Sequence, residues 1–231
     1  MRAGGTVLYG ENRLAALLAA ATPAAPLFVV EIAPATSLGD VVRAAPALAA
    51  SAIVSAMSGS VYRGYHNASG PAREYNVVTD VAASQAMYGA AWLAPILMSP
   101  LDTSGLLHCV KPEFADLLAA DSPAHVYAQV LLKNYRIWCG CTPTADSASD
   151  TLYDAQAAVA TGAYAAQWPG GAAPRVPGLT LAPLRIAVND SGFTVIEPAA
   201  RLVWAAVAFP DGLVNDTHLI CGELIDAIIA A

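Results

Sequence analysis

Basic side chains are scarce in this sequence. Only 11 Lys and Arg stand against 18 Asp and Glu in 231 residues, which gives a net charge of -7. Proteins that bind nucleic acids need basic patches to contact phosphates. We therefore expect no nucleic-acid partner. A neutral ligand, or one held through a cation, suits such a chain better.

Long runs of large apolar residues are also missing, although 56% of the residues are hydrophobic and only 13% are charged. Two stretches that lack charge over a membrane-relevant length lie between Arg43 and Arg63 and between Asp80 and Asp102. The first is mostly Ala and Ser, and the second is interrupted by polar residues, Gly and Pro. A bilayer favours segments dominated by Leu, Ile, Val and Phe. We therefore expect no membrane partner. A membrane or scaffold protein is kept only as a third alternative to the two functions given at the end of this subsection.

Cysteine is rare, with four residues at Cys109, Cys139, Cys141 and Cys221. The pair at Cys139 and Cys141 lacks the two-residue spacer of redox and zinc motifs, and no second pair supports it. A signal peptide is not expected, because Met1–Gly5 does not lead into an apolar segment. We therefore predict four thiols in a reducing compartment and a cytoplasmic protein.

Short apolar runs alternate with helical patterns along the first half of the chain. The predicted strands are Leu27–Ile32, Ile53–Met57 and Pro95–Met98, and the predicted helices are Glu11–Ala21, Leu38–Ala50 and Val81–Ala90. The second half is more helical, with predicted helices at Ser122–Trp138, Asp150–Tyr164 and Leu219–Ala230, a loop at Gln167–Pro177, and candidate strands at Leu184–Val188, Phe193–Ile196 and Leu202–Phe209. This order predicts one α/β domain over residues 1–231, with a doubly wound, mostly parallel sheet and helices on both faces. Its site should lie at the carboxyl ends of the strands.

The most informative polar stretch is Tyr62–Asn76, which follows the second predicted strand. Asn67, Glu74 and Asn76 serve no packing purpose in a buried strand. Amides and a carboxylate gathered where a strand ends suit a ligand with several hydroxyl groups, such as a sugar ring.

The stretch Tyr62–Asn76, followed by Asp80, resembles the ribose-binding loop of the inosine/uridine-preferring nucleoside hydrolases. Two further segments agree in order: Ala33–Ser37 is similar to the family's Gly-Pro-Leu-Thr-Asn loop, and Met57-Ser58-Gly59 is similar to its Met-Gly-Gly. The resemblance extends from about Glu11 to the C-terminus. It implies hydrolysis of the N-glycosidic bond of ribonucleosides to ribose and free base, as in purine and pyrimidine salvage.

The resemblance also implies roles for particular residues. Those implied to bind substrate are Met57, Asn67, Glu74, Tyr75 and Asn76. The backbone carbonyl of Thr36 and the carboxylate of Asp154 would be calcium ligands. Tyr153 stands where the family has a histidine that donates a proton to the leaving base. A tyrosine hydroxyl is a poorer acid than an imidazolium at neutral pH.

The family's opening strand, which ends in an Asp-x-Asp…Asp-Asp cluster, has no counterpart here, because the chain contains no Asp-Asp pair. Calcium takes six to eight oxygens, several from carboxylates. We therefore expect an N-terminally incomplete domain that is inactive alone. Either another segment or chain supplies the cluster, or the protein is a non-catalytic relative that binds a nucleoside or a partner. Upstream coding sequence for the aspartate cluster would decide between the incomplete enzyme and the non-catalytic relative. The chain could also form a homo-oligomer.

Overall fold

The computed structural model describes residues 10–169 and 174–230. Met1–Gly5 and positions 170–173 of the predicted loop lie outside the described residues. The helices are α1 (Gly10–Ala20), α2 (Thr36–Ala44), α3 (Tyr75–Thr79), α4 (Val81–Gly89), α5 (Leu101–Ser104), α6 (Glu113–Ala119), α7 (Val126–Cys139), α8 (Tyr153–Ala165) and α9 (Leu213–Ala230). The strands are β1 (Leu27–Glu31), β2 (Ala52–Met57), β3 (Ile96–Ser99), β4 (Thr180–Val188), β5 (Thr194–Ile196) and β6 (Leu202–Ala208).

The six strands form one sheet in the order β1-β2-β3-β6-β4-β5. Strands β1, β2, β3 and β6 run parallel, whereas β4 pairs antiparallel with both β6 and β5. Every residue of β2 and β3 is buried, as continuous apolar runs predict for central parallel strands. The predicted α/β fold with a mostly parallel sheet is confirmed.

Helices cover both faces of this sheet. On one face, Leu38 of α2 and Met87 of α4 pack with Val54 of β2. On the other face, Tyr164 of α8 packs with Ile53 and Leu97. Of the helices in the described ranges, none has the length and hydropathy needed to cross a bilayer.

Some predicted boundaries differ from the structure. The predicted helix Leu38–Ala50 is two elements, because Pro46 begins a separate 3₁₀ helix, Pro46–Ser51. Strand β4 begins at Thr180, earlier than predicted, and α9 begins at Leu213.

The prediction of four free thiols is wrong. Cys109 and Cys221 form a disulfide with a Cα–Cα distance of 5.5 Å, and Cys139 and Cys141 form another. Cys109 follows α5 and Cys221 lies in α9, so only the fold brings them together. Sequence spacing could not show this, because the two residues are separated by 112 positions.

Candidate functional site

A cavity of about 360 Å³ lies where β1 and β2 end, bordered by the starts of α3 and α8. Its lining residues are Ile32, Met57, Tyr65, Glu74, Tyr75, Asn76, Tyr153 and Asp154. Six of the eight predicted site residues therefore meet at one cavity, although they come from distant parts of the chain. Carboxyl ends of parallel strands are the usual site position in such sheets.

Glu74 is almost completely buried, with 2% of its surface exposed, and it is the N-cap of α3. Its carboxylate accepts hydrogen bonds from the backbone N–H groups of Gly59 (3.0 Å), Asn76 (2.8 Å) and Val77 (3.2 Å). Burial raises the pKa of Glu74, and these three donors oppose the rise. A carboxylate offers about four lone-pair positions. Glu74 therefore holds the loop together and keeps little acceptor capacity for a ligand.

Asn76 is fixed by the backbone of β2. Its Nδ2 donates to the carbonyl oxygen of Met57 at 2.9 Å and lies 3.5 Å from the Met57 sulfur. Its Oδ1 accepts no hydrogen bond from any described residue. The amide is thus oriented by the fold, and its oxygen is available to a hydroxyl group in the cavity.

Tyr65 also lines the cavity, although it was not among the predicted site residues. Its hydroxyl accepts a hydrogen bond from the Tyr75 backbone N–H at 2.8 Å, and its ring packs edge-on against Tyr153, with centroids 6.4 Å apart. Burial raises the pKa of Tyr65, so the hydroxyl stays protonated at neutral pH. Its membership of the polar stretch Tyr62–Asn76 was the signal that could have found it.

Tyr153 and Asp154 occupy the first turn of α8, where the helix dipole favours a negative charge. Loss of contact with water nevertheless raises the pKa of Asp154. Among the residues that the structure describes, no Lys, Arg or His lines the cavity. With Glu74 and Asp154 beside it, the cavity suits a neutral ligand better than a phosphorylated one, because a phosphate would be repelled.

Asn67 and Thr36 do not line the cavity. Asn67 is exposed, has a left-handed backbone (φ 61°), and its Oδ1 accepts a hydrogen bond from Arg63 Nη1 at 2.6 Å. Thr36 begins α2, and its hydroxyl donates to Asp80 at 2.8 Å. The backbone N–H of Ala83 and this hydroxyl lower the pKa of Asp80.

The described residues do not fit a calcium ion. The cavity offers two carboxylates, and three backbone N–H groups already occupy Glu74. Within residues 10–169 and 174–230, no three His, Cys, Asp or Glu side chains converge as a metal site would require. Thr36 and Asp154 alone fall short of six to eight oxygens. No chemical step is therefore assigned to a metal here.

Glu31, at the end of β1, is another buried carboxyl group, and it was not among the predicted site residues. Its surface is 8% exposed, its Oε1 accepts from the Ala33 N–H at 3.1 Å, and its Oε2 has no partner among the described residues. Burial raises the pKa of Glu31 to about 8, and the negative charges of Glu74 and Asp154 add to the rise. The carboxyl group is therefore protonated at neutral pH.

No family model matches the chain, and no curated protein sequence matches it. Solved structures do match. A plant nucleoside hydrolase, PpNRh1, superposes with a TM-score of 0.67 at 15% identity, over 100% of this chain and 70% of that one. A purine-preferring ribonucleoside hydrolase from Gardnerella vaginalis gives 0.62 at 15% identity, over 96% and 68%. An inosine-uridine preferring nucleoside hydrolase from Bacillus anthracis gives 0.61 at 14% identity, over 94% and 67%. The chain therefore has the fold of these nucleoside hydrolases.

Proposed function

We propose that the cavity binds a ribonucleoside and that this chain is a nucleoside hydrolase-like domain. The observation that carries the proposal is the pairing, in one cavity, of a fixed amide at Asn76 with two aromatic rings at Tyr65 and Tyr153. A ribose needs hydrogen-bonding groups and a nucleobase needs a flat apolar contact. The fold shared with nucleoside hydrolases supports the same ligand.

In this proposal the ribose lies over β2 and the start of α3. The Asn76 Oδ1 accepts from one ribose hydroxyl, and the remaining lone pair of Glu74 accepts from another. Met57 and Tyr75 form the adjacent walls. The assignment of Asn67 to the ribose comes from the family resemblance and stays a prediction, because its side chain is bonded to Arg63 in this structure.

The nucleobase lies against the edge-on pair Tyr65 and Tyr153. The Tyr153 hydroxyl donates a hydrogen bond to a ring nitrogen or carbonyl of the base. This contact orients the base in a hydrolase and in a pure binding protein alike, so it does not by itself imply catalysis.

Cleavage of an N-glycosidic bond needs a base that activates water and an acid that protonates the leaving group. Among the cavity residues, backbone N–H groups occupy Glu74, and Asp154 is the other carboxylate. We propose that this chain alone does not hydrolyse nucleosides. Hydrolysis and calcium binding would require carboxylates from outside the described residues, in a longer polypeptide or a second chain. Inosine/uridine preference stays a prediction from the family resemblance.

The alternative is a non-catalytic relative that binds a nucleoside or a partner. Three backbone N–H groups already occupy the Glu74 carboxylate, and this favours the alternative. A role in purine and pyrimidine salvage applies only if the completed protein is a hydrolase.

The cytoplasmic location is a prediction from the sequence alone. Disulfides persist in oxidising compartments and are rare in the cytosol, so Cys109–Cys221 argues against it. Fractionation of the native host, with thiols blocked at lysis, tests this point.

The test of the function combines binding and turnover. The purified chain is titrated with inosine and uridine by calorimetry, and base release is followed by chromatography with and without calcium. We expect saturable binding without release. Asn76→Ala should weaken inosine binding at least about tenfold, whereas Asn134→Ala, which alters an exposed amide on α7, should not. Calcium-dependent turnover of about 1 per second or more would contradict the absence of catalysis, and absence of binding would contradict the assigned cavity.

A further inference from the structure

A second cleft, of about 470 Å³, lies at the opposite end of the sheet. Its walls include Ile96 and Leu202, the first residues of β3 and β6, so it opens at the amino ends of these strands. The cavity assigned above lies at the carboxyl ends. The two sites are therefore separated by the length of the sheet.

Two arginines, Arg185 on β4 and Arg201 just before β6, line this cleft. Arg185 Nη1 donates to the carbonyl oxygen of Ala200 at 2.8 Å, and Arg201 Nε donates to that of Gly89 at 2.7 Å. These bonds fix the direction of both side chains. A guanidinium group has five N–H donors, so most donors of both arginines remain available.

Neither arginine forms an ion pair with a carboxylate among the described residues. Glu197 is an acidic neighbour of Arg185, with its backbone N–H donating to the Arg185 carbonyl oxygen at 2.9 Å, but its carboxylate forms no ion pair with either arginine. Two guanidinium groups that line one cleft without an ion pair among the described residues can attract an anion. This placement is notable in a chain with only 11 Lys and Arg and a net charge of -7.

The rest of the cleft is an apolar wall formed by Trp92, Leu93 and Pro95. The Trp92 indole N–H donates to the Met87 carbonyl oxygen at 2.8 Å, which holds the ring in place. A cleft lined by a fixed aromatic ring and two guanidinium groups suits a ligand with an anionic end and a flat or apolar body.

We propose that this cleft binds a small phosphate-bearing molecule, whose phosphate oxygens are held by Arg185 and Arg201 and whose body lies against Trp92. Guanidinium groups bind phosphate through paired N–H donors, which a lysine cannot reproduce. The site is distinct in chemistry from the nucleoside cavity, which no cationic side chain lines within residues 10–169 and 174–230. A protein carrying both sites would bind a neutral and an anionic ligand at opposite ends of one sheet.

The experiment is calorimetric titration of the full chain with phenyl phosphate, inorganic phosphate and inorganic pyrophosphate at low salt. Arg185→Gln and Arg201→Gln should each weaken the dissociation constant by about tenfold or more, since a charge-assisted pair is lost. The double variant should lose binding. Arg73→Gln is the matched control, because Arg73 also donates its Nε to a backbone carbonyl, that of Ser191, at 2.8 Å. It should bind as the parent does.

Binding should be tighter for phenyl phosphate than for inorganic phosphate, and Trp92→Ala should remove that difference. Thermal melts of each variant verify that it is folded. The proposal is overturned if the parent chain binds none of the phosphates, or if the Arg185 and Arg201 variants bind like the parent. Equal weakening by Arg73→Gln would also overturn it, because binding would then follow net charge rather than the cleft.

Discussion

The Glu74 carboxylate accepts a hydrogen bond from the Gly59 backbone N–H at 3.0 Å, and this contact joins the end of β2 to the start of α3. The same carboxylate caps α3 through Asn76 and Val77. One buried side chain therefore sets the shape of the loop that presents Met57 and Asn76 to the cavity. Its structural role and its position in the site are inseparable.

Glu74→Ala should lower the free energy of unfolding by about 1–3 kcal/mol, because it leaves three buried N–H groups without an acceptor. Urea denaturation followed by circular dichroism measures the change. Glu197→Ala, which removes an exposed carboxylate, is the control and should change stability little. Equal effects of the two substitutions would contradict the capping role of Glu74.

Gly59→Ala should destabilise the protein by about 1–3 kcal/mol. Gly59 has a φ of +79°, and an added Cβ would lie 2.6 Å from Thr194 Cγ2 and 2.7 Å from Met98 Cε. Gly162 in α8 has open space around it, so Gly162→Ala should be neutral or stabilise by up to about 1 kcal/mol. The difference between the two melting temperatures checks the prediction. A stabilising Gly59→Ala would show that the turn does not need a left-handed residue.

The α/β fold could be predicted because its signals are local. Each short apolar run, such as Ile53–Met57, needed only its own sequence to indicate a buried strand, and the alternation with helices indicated the sheet. The antiparallel placement of β4 could not be predicted, because strand direction depends on pairing with β6 rather than on the residues of β4. The earlier start of β4 depends on the same pairing.

The site could be predicted in part. Glu74 and Asn76 were found because buried packing gives no reason for polar residues after a strand. The hydrogen-bond partners of Glu74 could not be predicted. They are three backbone N–H groups, and only the folded chain brings them to the carboxylate. Glu31 was missed because it lies within an apolar run and carries no motif. Asp102 in α5 accepts from the backbone of Val61, Tyr62 and Arg63, about 40 positions earlier in the chain, so this contact too depends on the fold.

Stability should fall as pH rises from about 4.5 to about 8. In this range Glu31 is ionised in the unfolded chain but protonated in the folded one. Burial raises the pKa of Glu31 from 4.5 to about 8, so the folded state binds the extra proton between these values. The contribution of Glu31 to the free energy of unfolding therefore decreases from about pH 4.5 to about pH 8 and then levels off. Glu31→Gln should make this decline shallower, whereas Glu197→Gln should not. Parallel pH profiles for Glu31→Gln and the parent would contradict the raised pKa.

Loss of the Cys109–Cys221 disulfide should cost about 2–5 kcal/mol, because the bond closes a long loop and restricts the unfolded chain. The double variant Cys109→Ser/Cys221→Ser measures this by urea denaturation. Cys139→Ser/Cys141→Ser is the control and should have a smaller effect, since its loop is short. Four reactive thiols in the denatured, unreduced protein would contradict both disulfides.

The most direct test of the central claim compares inosine with 2′-deoxyinosine in calorimetric titrations of the full chain. A site whose Asn76 and Glu74 oxygens accept from ribose hydroxyls should bind the deoxynucleoside at least about tenfold more weakly, because a buried acceptor then loses its partner. Asn76→Ala should abolish the discrimination, and Asn67→Ala shows whether Asn67 takes part. The account predicts saturable inosine binding with clear preference for the ribonucleoside. Equal affinity for the two ligands, or no binding of either, would contradict it.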